Sequence, residues 1–394
     1  MVCNGKKLAT AFAALVMLSA YTANAEVSDF SRCVSEVSRV KNTFAPDKRQ
    51  VLYNVDVRQG SDGKLVLDGV VSEQWIADTL AHALDNGKID YANSIYVYPS
   101  DQWALPRISV ACLRTRRGHD AEMASQALMG MPLRVLETIG DWLHVQTPDG
   151  YIAWVTDSSV VPMNGEQMDA WRKSERVVVT TPWQTHAYNS PTAKGVREIV
   201  TDLVLGNIVS LTGAKAQKGR VEIVLPDGRK GWVDKTDITP IDEWASQEFN
   251  PDLILDIAYS MEGTPYLWGG TSVKTLDCSG LAKTSYLANG LILMRDASQQ
   301  ALTGTRIEAA DWRDCKAGDL LFFGNAKTGR VTHVAIYDHD GNYVHSSGRV
   351  KRNSVDPQSE SYLSTPFLHA VRINGNQGSA GITRAIDHPW YFEK

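Results

Sequence analysis

The sequence predicts an α+β protein of several domains, and three observations support this. The chain has 394 residues, 43% of them hydrophobic, which exceeds the roughly 100–200 residues of a typical single domain. Two β-rich segments in the middle of the chain repeat each other. The last third combines helical periodicity with alternating strands. We therefore expect a small α+β module, two small β-barrels and a larger α+β domain, in that order.

The first residues have the composition of an export signal, predicted at 1–25. Lys6 and Lys7 precede an apolar run that begins at Leu8, and small residues close the segment. A buried N-terminal helix is the alternative. The run is too short to span a bilayer, and no later stretch reaches that length, so we expect no membrane span. The mature protein should begin near Glu26 and act in the periplasm or outside the cell.

Charge and cysteine content exclude several classes of protein. A net charge of -5 and a pI near 6.0 provide no basic field for nucleic acid or an anionic membrane, so neither partner is expected. The five cysteines include no C-x-x-C pair, which argues against a disulfide framework or a zinc ribbon. A single disulfide, for example between Cys33 and Cys112, stays open.

The N-terminal module is predicted at 26–105. Alternating strands are expected at 51–57 and 65–67, and an amphipathic helix follows Ser72 and Glu73. The module contains no cluster of chemically reactive side chains, so we interpret it as a packing or interaction domain. The apolar residues at helical spacing are Trp75, Ile76, Leu80 and Leu84.

An internal repeat defines the middle of the chain. The run P-D-G-Y-I-A-W-V at 148–155 recurs as P-D-G-R-K-G-W-V at 226–233. In each copy an Asp-Gly pair stands between β-rich runs, which is typical of a tight hairpin turn. Two tandem β-barrels are therefore expected at 106–163 and 175–240. The chain after the link forms one final domain, 251–394.

The final domain contains one cysteine in a glycine-rich setting. A helical stretch at 252–262 leads into T-P-Y-L-W-G-G at 264–270, and D-C-S-G-L follows at 277–281. A second helix should start near Cys278 and end at Asn289 and Gly290. The N–H groups at a helix N-terminus favour a thiolate, the reactive form of cysteine. Cys278 is therefore the candidate nucleophile.

Two histidines follow on a predicted β-hairpin. His333 and His345 lie on strands joined by a turn at 340–342, and their spacing allows both rings to occupy one face. One imidazole can accept the thiol proton while the other fixes its tautomer. A Cys-His-His zinc site is an alternative. The activated-thiol interpretation also accounts for Tyr266 and Asp277, so we expect no metal and no cofactor.

These motifs resemble a known family. T-P-Y-x-W-G-G, D-C-S-G-L, H-V-A-I-Y and Y-V-H together are similar to the NlpC-type papain-like cysteine peptidases of bacterial cell walls. The repeated segments resemble bacterial SH3-like domains, although Ala153 stands where the first copy should have glycine. Such domains bind wall peptides or shape a neighbouring site, with plain spacers as the alternative. The combination resembles the γ-D-glutamyl-L-diamino acid endopeptidases.

The resemblance implies a function and a set of site residues. It implies hydrolysis of the γ-D-glutamyl–diamino acid bond in peptidoglycan-derived peptides that carry a free N-terminal L-Ala. Two alternatives remain: an amidase or acyltransferase acting on another acyl substrate, and a non-catalytic wall-binding protein. The implied catalytic residues are the nucleophile Cys278, the base His333, the orienting His345 and Tyr266 at the oxyanion site. The implied substrate-binding residues are Asp277, Ser279, Asp296, Ser298, Glu122 and Tyr151.

Overall fold

A computed structural model describes residues 28–393, so the expected export signal at 1–25 lies outside the described residues. The α+β fold class predicted from the sequence is confirmed, and within residues 28–393 the β-strands outnumber the α-helices. Within residues 28–393, no helix has the length and apolar character needed to cross a membrane. Cys33, Cys112, Cys278 and Cys315 are all free thiols, so the disulfide left open by the sequence is not formed.

The N-terminal module packs two helices on a three-stranded sheet of order β1-β2-β3, in which β2 and β3 are parallel. Ile76, Leu80 and Leu84 are fully buried as expected. Trp75 differs from the expectation, because it is 50% exposed, with an edge-to-face contact to Phe44 at a ring-centroid distance of 5.7 Å. The elements are α1 (Asp29–Phe44), which the sequence did not predict, β1 (Tyr53–Gln59), β2 (Leu65–Val71), α2 (Gln74–Asn86) and β3 (Tyr91–Val97).

The first barrel is a seven-stranded sheet of order β10-β4-β7-β8-β9-β5-β6. The expected hairpin is present, with Gly150 at φ +83° in the turn between β8 and β9; glycine adopts such positive φ values without strain. Its strands are β4 (Trp103–Pro106), β5 (Val110–Arg114), β6 (Met123–Leu128), β7 (Leu133–Ile139), β8 (Trp142–Gln146), β9 (Ile152–Thr156) and β10 (Val160–Met163).

The second barrel repeats this arrangement in the order β13-β12-β16-β15-β14-β11-β17. A helix, α3 (Gly165–Lys173), separates the two barrels, and α4 (Ile241–Ala245) lies in the link to the final domain. The strands are β11 (Arg176–Val179), β12 (Gln184–Tyr188), β13 (Ile199–Val204), β14 (Ile208–Leu211), β15 (Arg220–Val224), β16 (Lys230–Asp234) and β17 (Ile238–Pro240).

The C-terminal domain places helix α6 against a six-stranded antiparallel sheet of order β21-β26-β22-β23-β24-β25. The two histidine strands are the neighbours β23 and β24, as predicted. The helices are α5 (Pro251–Ser260), α6 (Cys278–Ala288) and α7 (Ala297–Gln300). The strands are β18 (Thr271–Ser272), β19 (Thr275–Leu276), β20 (Leu291–Leu293), β21 (Thr305–Glu308), β22 (Leu320–Asn325), β23 (Arg330–Tyr337), β24 (Asn342–Ser347), β25 (Arg349–Ser354), β26 (Phe367–Arg372) and β27 (Ile382–Arg384).

The hydrophobic core joins the first barrel to the C-terminal domain. Leu128 and Leu133 of the barrel belong to the same buried cluster as Leu281 of α6 and Ile336 of β23. The second barrel is built mainly around a separate cluster that includes Leu203. Because close-packed interiors resist relative movement, the first barrel holds a fixed position beside α6.

Candidate active site

Cys278 is the first residue of α6, as the sequence predicted. The carboxylate of Asp277 caps the helix by accepting a hydrogen bond from the N–H of Gly280 at 2.7 Å. The side chain of Cys278 is buried, with 8% of the residue exposed. The backbone N–H groups of Val334 and Ser279 lie within hydrogen-bonding reach of its sulfur. Helix α6 and strand β23 therefore meet at the thiol.

Close contact between two backbone segments requires glycine at position 280 of the D-C-S-G-L run. A Cβ atom at this position would lie 1.9 Å from the carbonyl oxygen of Gly270, far inside any allowed separation. The missing side chain lets the first turn of α6 rest on the turn that follows Trp268. That turn also touches the first barrel, because a Cβ at Gly269 would meet the carbonyl oxygen of Met123 at 2.3 Å.

A chain of hydrogen bonds fixes the tautomers of both histidines. The amide nitrogen of Asn353 donates to the carbonyl of Ser361 at 2.9 Å, so its Oδ1 must face His345. This oxygen accepts from Nε2 of His345 at 3.0 Å, which leaves Nδ1 of His345 as an acceptor. That atom is 2.7 Å from Nε2 of His333. His333 must donate there, so its Nδ1 keeps a free lone pair, as a general base needs.

The resting charge state of the site is neutral. Burial, and then the Asp277 charge, raise the pKa of Cys278 to about 11. Burial, and then His345, lower the pKa of His333 to about 3. Burial also lowers the pKa of His345 to about 4. The loss of solvation thus outweighs the helix N-terminus that was expected to favour the thiolate. At neutral pH the site holds a thiol beside a neutral imidazole.

Tyr266 lies beside the thiol. Its N–H donates to the carbonyl of Gly348 at 2.9 Å, which ties it to the turn between β24 and β25. Burial, and then the neighbouring Cys278, which is ionised at the high pH where the tyrosine titrates, raise the pKa of Tyr266 to about 12. Its hydroxyl therefore stays protonated and is available as a hydrogen-bond donor.

Asp277, which is expected to be a partner for a substrate amine, is paired within the protein. Arg295, 1% exposed at its side chain, donates from Nη2 at 2.5 Å and from Nη1 at 3.2 Å. The N–H groups of Gly269 and Gly280 and the hydroxyl of Ser279 also donate to the carboxylate. Five donors fill the roughly four lone-pair sites of a carboxylate. Ser279 in turn accepts from Arg295 at 3.0 Å, so both residues form a buried support under the thiol.

Asp296 and Ser298 meet an arginine from the N-terminal module. Nη1 of Arg49 lies 2.7 Å from Oδ2 of Asp296 and 3.3 Å from the hydroxyl of Ser298. Burial raises the pKa of Asp296, against the pull of Arg295 and Arg49. Burial, and then the Asp296 charge, raise the pKa of Tyr151 to about 12. Asp296, Ser298 and Tyr151 are therefore brought together.

Glu122 occupies a different environment. Its side chain is exposed in the first barrel, one residue before the Met123 carbonyl that packs on Gly269. It thus stands beside the Trp268 turn, and Trp268 itself is 60% exposed. Glu122 and Trp268 are therefore exposed beside the turn that leads into the nucleophile segment, which we call the rim of the site.

Three residues of the site were not predicted. Arg295 directly precedes the predicted residue Asp296, and an arginine that follows an apolar run is a signal for a buried ion pair. Asn353 sits in an ordinary alternating strand, and Arg49 sits in a loop. Nothing in the local sequence of either residue indicates its partner.

The Cys-His-His zinc alternative requires three ligands arranged around one ion. Residues 28–393 contain no cluster of three His, Cys, Asp or Glu side chains arranged to hold a metal ion. The ring nitrogens of His333 and His345 that face each other are 2.7 Å apart, which leaves no space for an ion between them.

Two family models match this chain. Residues 263–372 match the NlpC/P60 family, and residues 113–160 match the bacterial dipeptidyl-peptidase Sh3 domain. The first range holds Cys278 and both histidines, and the second lies within the first barrel. The fold with these matches defines a cysteine peptidase that carries an SH3-like domain before its catalytic domain.

Similar proteins narrow this class to a family. A γ-D-glutamyl-L-lysine dipeptidyl-peptidase of Bacillus cereus is 28% identical over 77% of this chain and 88% of its own length. Dipeptidyl-peptidase 6 of Lysinibacillus sphaericus is 30% identical over 61% of this chain and 88% of its own length. A solved NlpC/P60 protein from B. cereus shares the fold, with a TM-score of 0.59, 23% identity and coverage of 69% of this chain and 99% of that one. The chain belongs to the NlpC/P60 family.

Proposed function

We propose that the protein hydrolyses the γ-D-glutamyl–diamino acid bond of cell-wall stem peptides that carry a free N-terminal L-Ala. The names of its relatives, a γ-D-glutamyl-L-lysine dipeptidyl-peptidase and dipeptidyl-peptidase 6, support the bond. The observation that carries the chemistry is the chain from Asn353 through His345 to His333, which leaves a free lone pair on Nδ1 of His333. The residue after His333, Val334, places its N–H within reach of the sulfur of Cys278.

Acylation begins from the neutral pair. His333 takes the thiol proton as the sulfur of Cys278 attacks the carbonyl carbon of the γ-D-glutamyl group. His333 then returns that proton to the amine of the leaving diamino acid, the C–N bond breaks and a thioester remains. Water, deprotonated by His333, attacks the thioester. The acid product leaves and the thiol is restored, so the reaction consumes only water.

The negative oxygen of the tetrahedral intermediate needs fixed donors. The free N–H at the start of α6, on Cys278, and the protonated hydroxyl of Tyr266 are the candidates. His345 and Asn353 act through His333 by holding its ring. These are positioning residues and do not touch the substrate.

The amine of L-Ala requires a carboxylate. A buried ammonium is stable only when it is paired and hydrogen-bonded. Asp296, with Ser298 and the Tyr151 hydroxyl, forms the candidate amine pocket, and Glu122 is a second carboxylate at the rim. Asp277 and Ser279 support this pocket through Arg295, whose backbone continues directly into Asp296.

We also propose a division of the chain into domains and a place of action. We assign an export signal to 1–25, a packing module to the part of 26–105 that precedes β4, SH3-like barrels to 106–163 and 175–240, and the peptidase to 251–394. The strand β4 (Trp103–Pro106) crosses the boundary expected at 105 and belongs to the first barrel, because it pairs with β7 and β10. A wall substrate requires action in the periplasm or outside the cell, and the lysine-flanked apolar start of the chain supports export. N-terminal sequencing of protein from its host should find a start near Glu26; an intact Met1 would contradict export.

Digestion of a set of defined stem peptides, with products identified by mass spectrometry, tests the proposed function. We expect L-Ala-γ-D-Glu and the released diamino acid peptide from substrates with a free amine. Peptides with an α-linked glutamate should stay intact. Cleavage at another bond, or activity only on a non-peptide acyl substrate, would replace the proposed function with an amidase or acyltransferase.

A further inference from the structure

The loop 45–52 of the N-terminal module reaches into the space between the first barrel and the peptidase domain. The N–H of Ile152 in the barrel donates to the carbonyl of Arg49 at 2.7 Å, and Gln146 donates to the carbonyl of Gln50 at 2.9 Å. From the other side, Gln299 of α7 donates to the carboxylate of Asp47 at 2.8 Å. The loop is thus attached to both walls of the candidate amine pocket.

Arg49 is held as a fixed cation. Its Nε and Nη2 bind the two oxygens of Asp47 at 2.8 and 2.6 Å, a two-point geometry that restricts the planar guanidinium. Only Nη1 is directed away from this pair, and it contacts Asp296 at 2.7 Å and Ser298 at 3.3 Å. An arginine held at two points does not move aside as easily as a free one.

Arg49 reduces the negative charge that a substrate ammonium would meet at Asp296. Asp296 is the carboxylate proposed for the substrate ammonium, yet Arg49 already compensates part of its charge. Arg295, the preceding residue, is hydrogen-bonded to Asp277, and its charge also acts on Asp296. A second cation entering the pocket therefore gains less from Asp296 than it would from an unpaired carboxylate. It also meets the positive charge of Arg49, which the carboxylate of Asp47 offsets in part.

We propose that Arg49 is a specificity-determining residue that reduces the preference of the amine pocket for a free ammonium. The N-terminal module thereby becomes part of the substrate site and lets peptides with a blocked N-terminus compete better than an unpaired Asp296 would allow. This inference rests on the proposed function, because it takes Asp296 as the amine-binding carboxylate.

The test compares kcat/KM of the full mature chain for L-Ala-γ-D-Glu-diamino acid and for its N-acetylated form. Arg49→Met should raise the ratio of free to acetylated peptide about tenfold, mainly through a lower KM for the free peptide, since both Arg49 and Asp296 are partly solvated and their interaction is screened. Arg49→Lys keeps the charge and should keep a ratio near that of the wild type.

Arg58→Met is the matched control. Arg58 pairs with Asp68 on the exposed sheet of the same module, so this variant should leave the ratio unchanged. An unchanged or lower ratio in Arg49→Met, an equal rise in Arg49→Lys, or loss of both activities in Arg49→Met would overturn the proposal. Failure of the wild type to cleave either peptide at the γ-D-glutamyl bond would instead remove the proposed function.

Discussion

Arg295 and Asp277 form a buried ion pair directly beneath the candidate nucleophile. The two side chains are 1% and 7% exposed, and Nη2 lies 2.5 Å from Oδ2. The pair ties the cap of α6 to the residue that precedes Asp296. One interaction therefore connects the thiol-bearing helix to the candidate amine pocket.

Breaking this pair should destabilise the protein. Arg295→Met leaves a buried carboxylate without its partner, and we expect a loss of about 3–5 kcal/mol in the free energy of unfolding, measured by urea denaturation. The double variant Arg295→Met with Asp277→Asn removes both charges and should recover part of the loss. If the double variant is no more stable than the single one, the pair is not the origin of the effect.

Gly280→Ala should be costly although alanine favours helices. Its Cβ would lie 1.9 Å from the carbonyl oxygen of Gly270, so the start of α6 must shift, at about 1–3 kcal/mol. Gly165→Ala, at the first position of α3 with open space around it, is the control and should be neutral or slightly stabilising. Thermal unfolding compares the two, and equal effects would contradict the close contact.

Cys278→Ala should lower hydrolysis by about a thousandfold or more while the fold persists. Cys315→Ala is the control, because this thiol is also buried, with a pKa raised to about 12 by burial and then by Asp319, but lies in a different cluster. Product formation is followed by mass spectrometry and the fold by circular dichroism. Full activity in Cys278→Ala would exclude it as the nucleophile.

The histidine chain predicts a graded series. His333→Ala should lower kcat by about a thousandfold. His345→Gln should be milder, because an amide oxygen can still accept from His333. Asn353→Ala should reduce kcat by about tenfold, the value of one hydrogen bond, with little change in KM. A wild-type kcat in Asn353→Ala would show that His345 is oriented without it.

The free energy of unfolding should decrease as the pH falls, over a pH range set by the two histidines. Burial lowers the pKa values of His333 and His345 to about 3 and about 4 from the ordinary 6.5. Below pH 6.5 the unfolded chain binds protons that the folded protein excludes, so stability decreases as pH falls from 6.5 towards 4. Each such proton contributes about 1.4 kcal/mol per pH unit.

The variant His345→Gln removes one of the two histidines whose proton uptake in the unfolded chain causes this decrease. Urea denaturation at pH 7, 6 and 5 should show a shallower decrease in stability for the variant than for the wild type. Parallel curves would indicate that His345 is protonated at similar pH in the folded and unfolded states, and the assigned burial effect would then be wrong.

The sequence by itself determined the local architecture. Asp-Gly turns specified the barrel hairpins, residue alternation placed His333 and His345 on paired strands, and the run from 277 to 290 indicated a helix that starts near Cys278. Each of these signals acts over a few residues, because turn geometry and strand parity are local properties. They were sufficient to predict the fold class and the family.

Only the tertiary structure decided which charges meet. Arg49 contacts Asp296 across 247 residues of sequence, and Asn353 reaches His345 from the next strand. Arg295 forms an ion pair with Asp277, because burial makes an unpaired charge unfavourable there. Desolvation likewise kept Cys278 and His333 neutral, against the local expectation of a thiolate. Burial and ion pairing depend on the packing of distant segments, which no local pattern specifies.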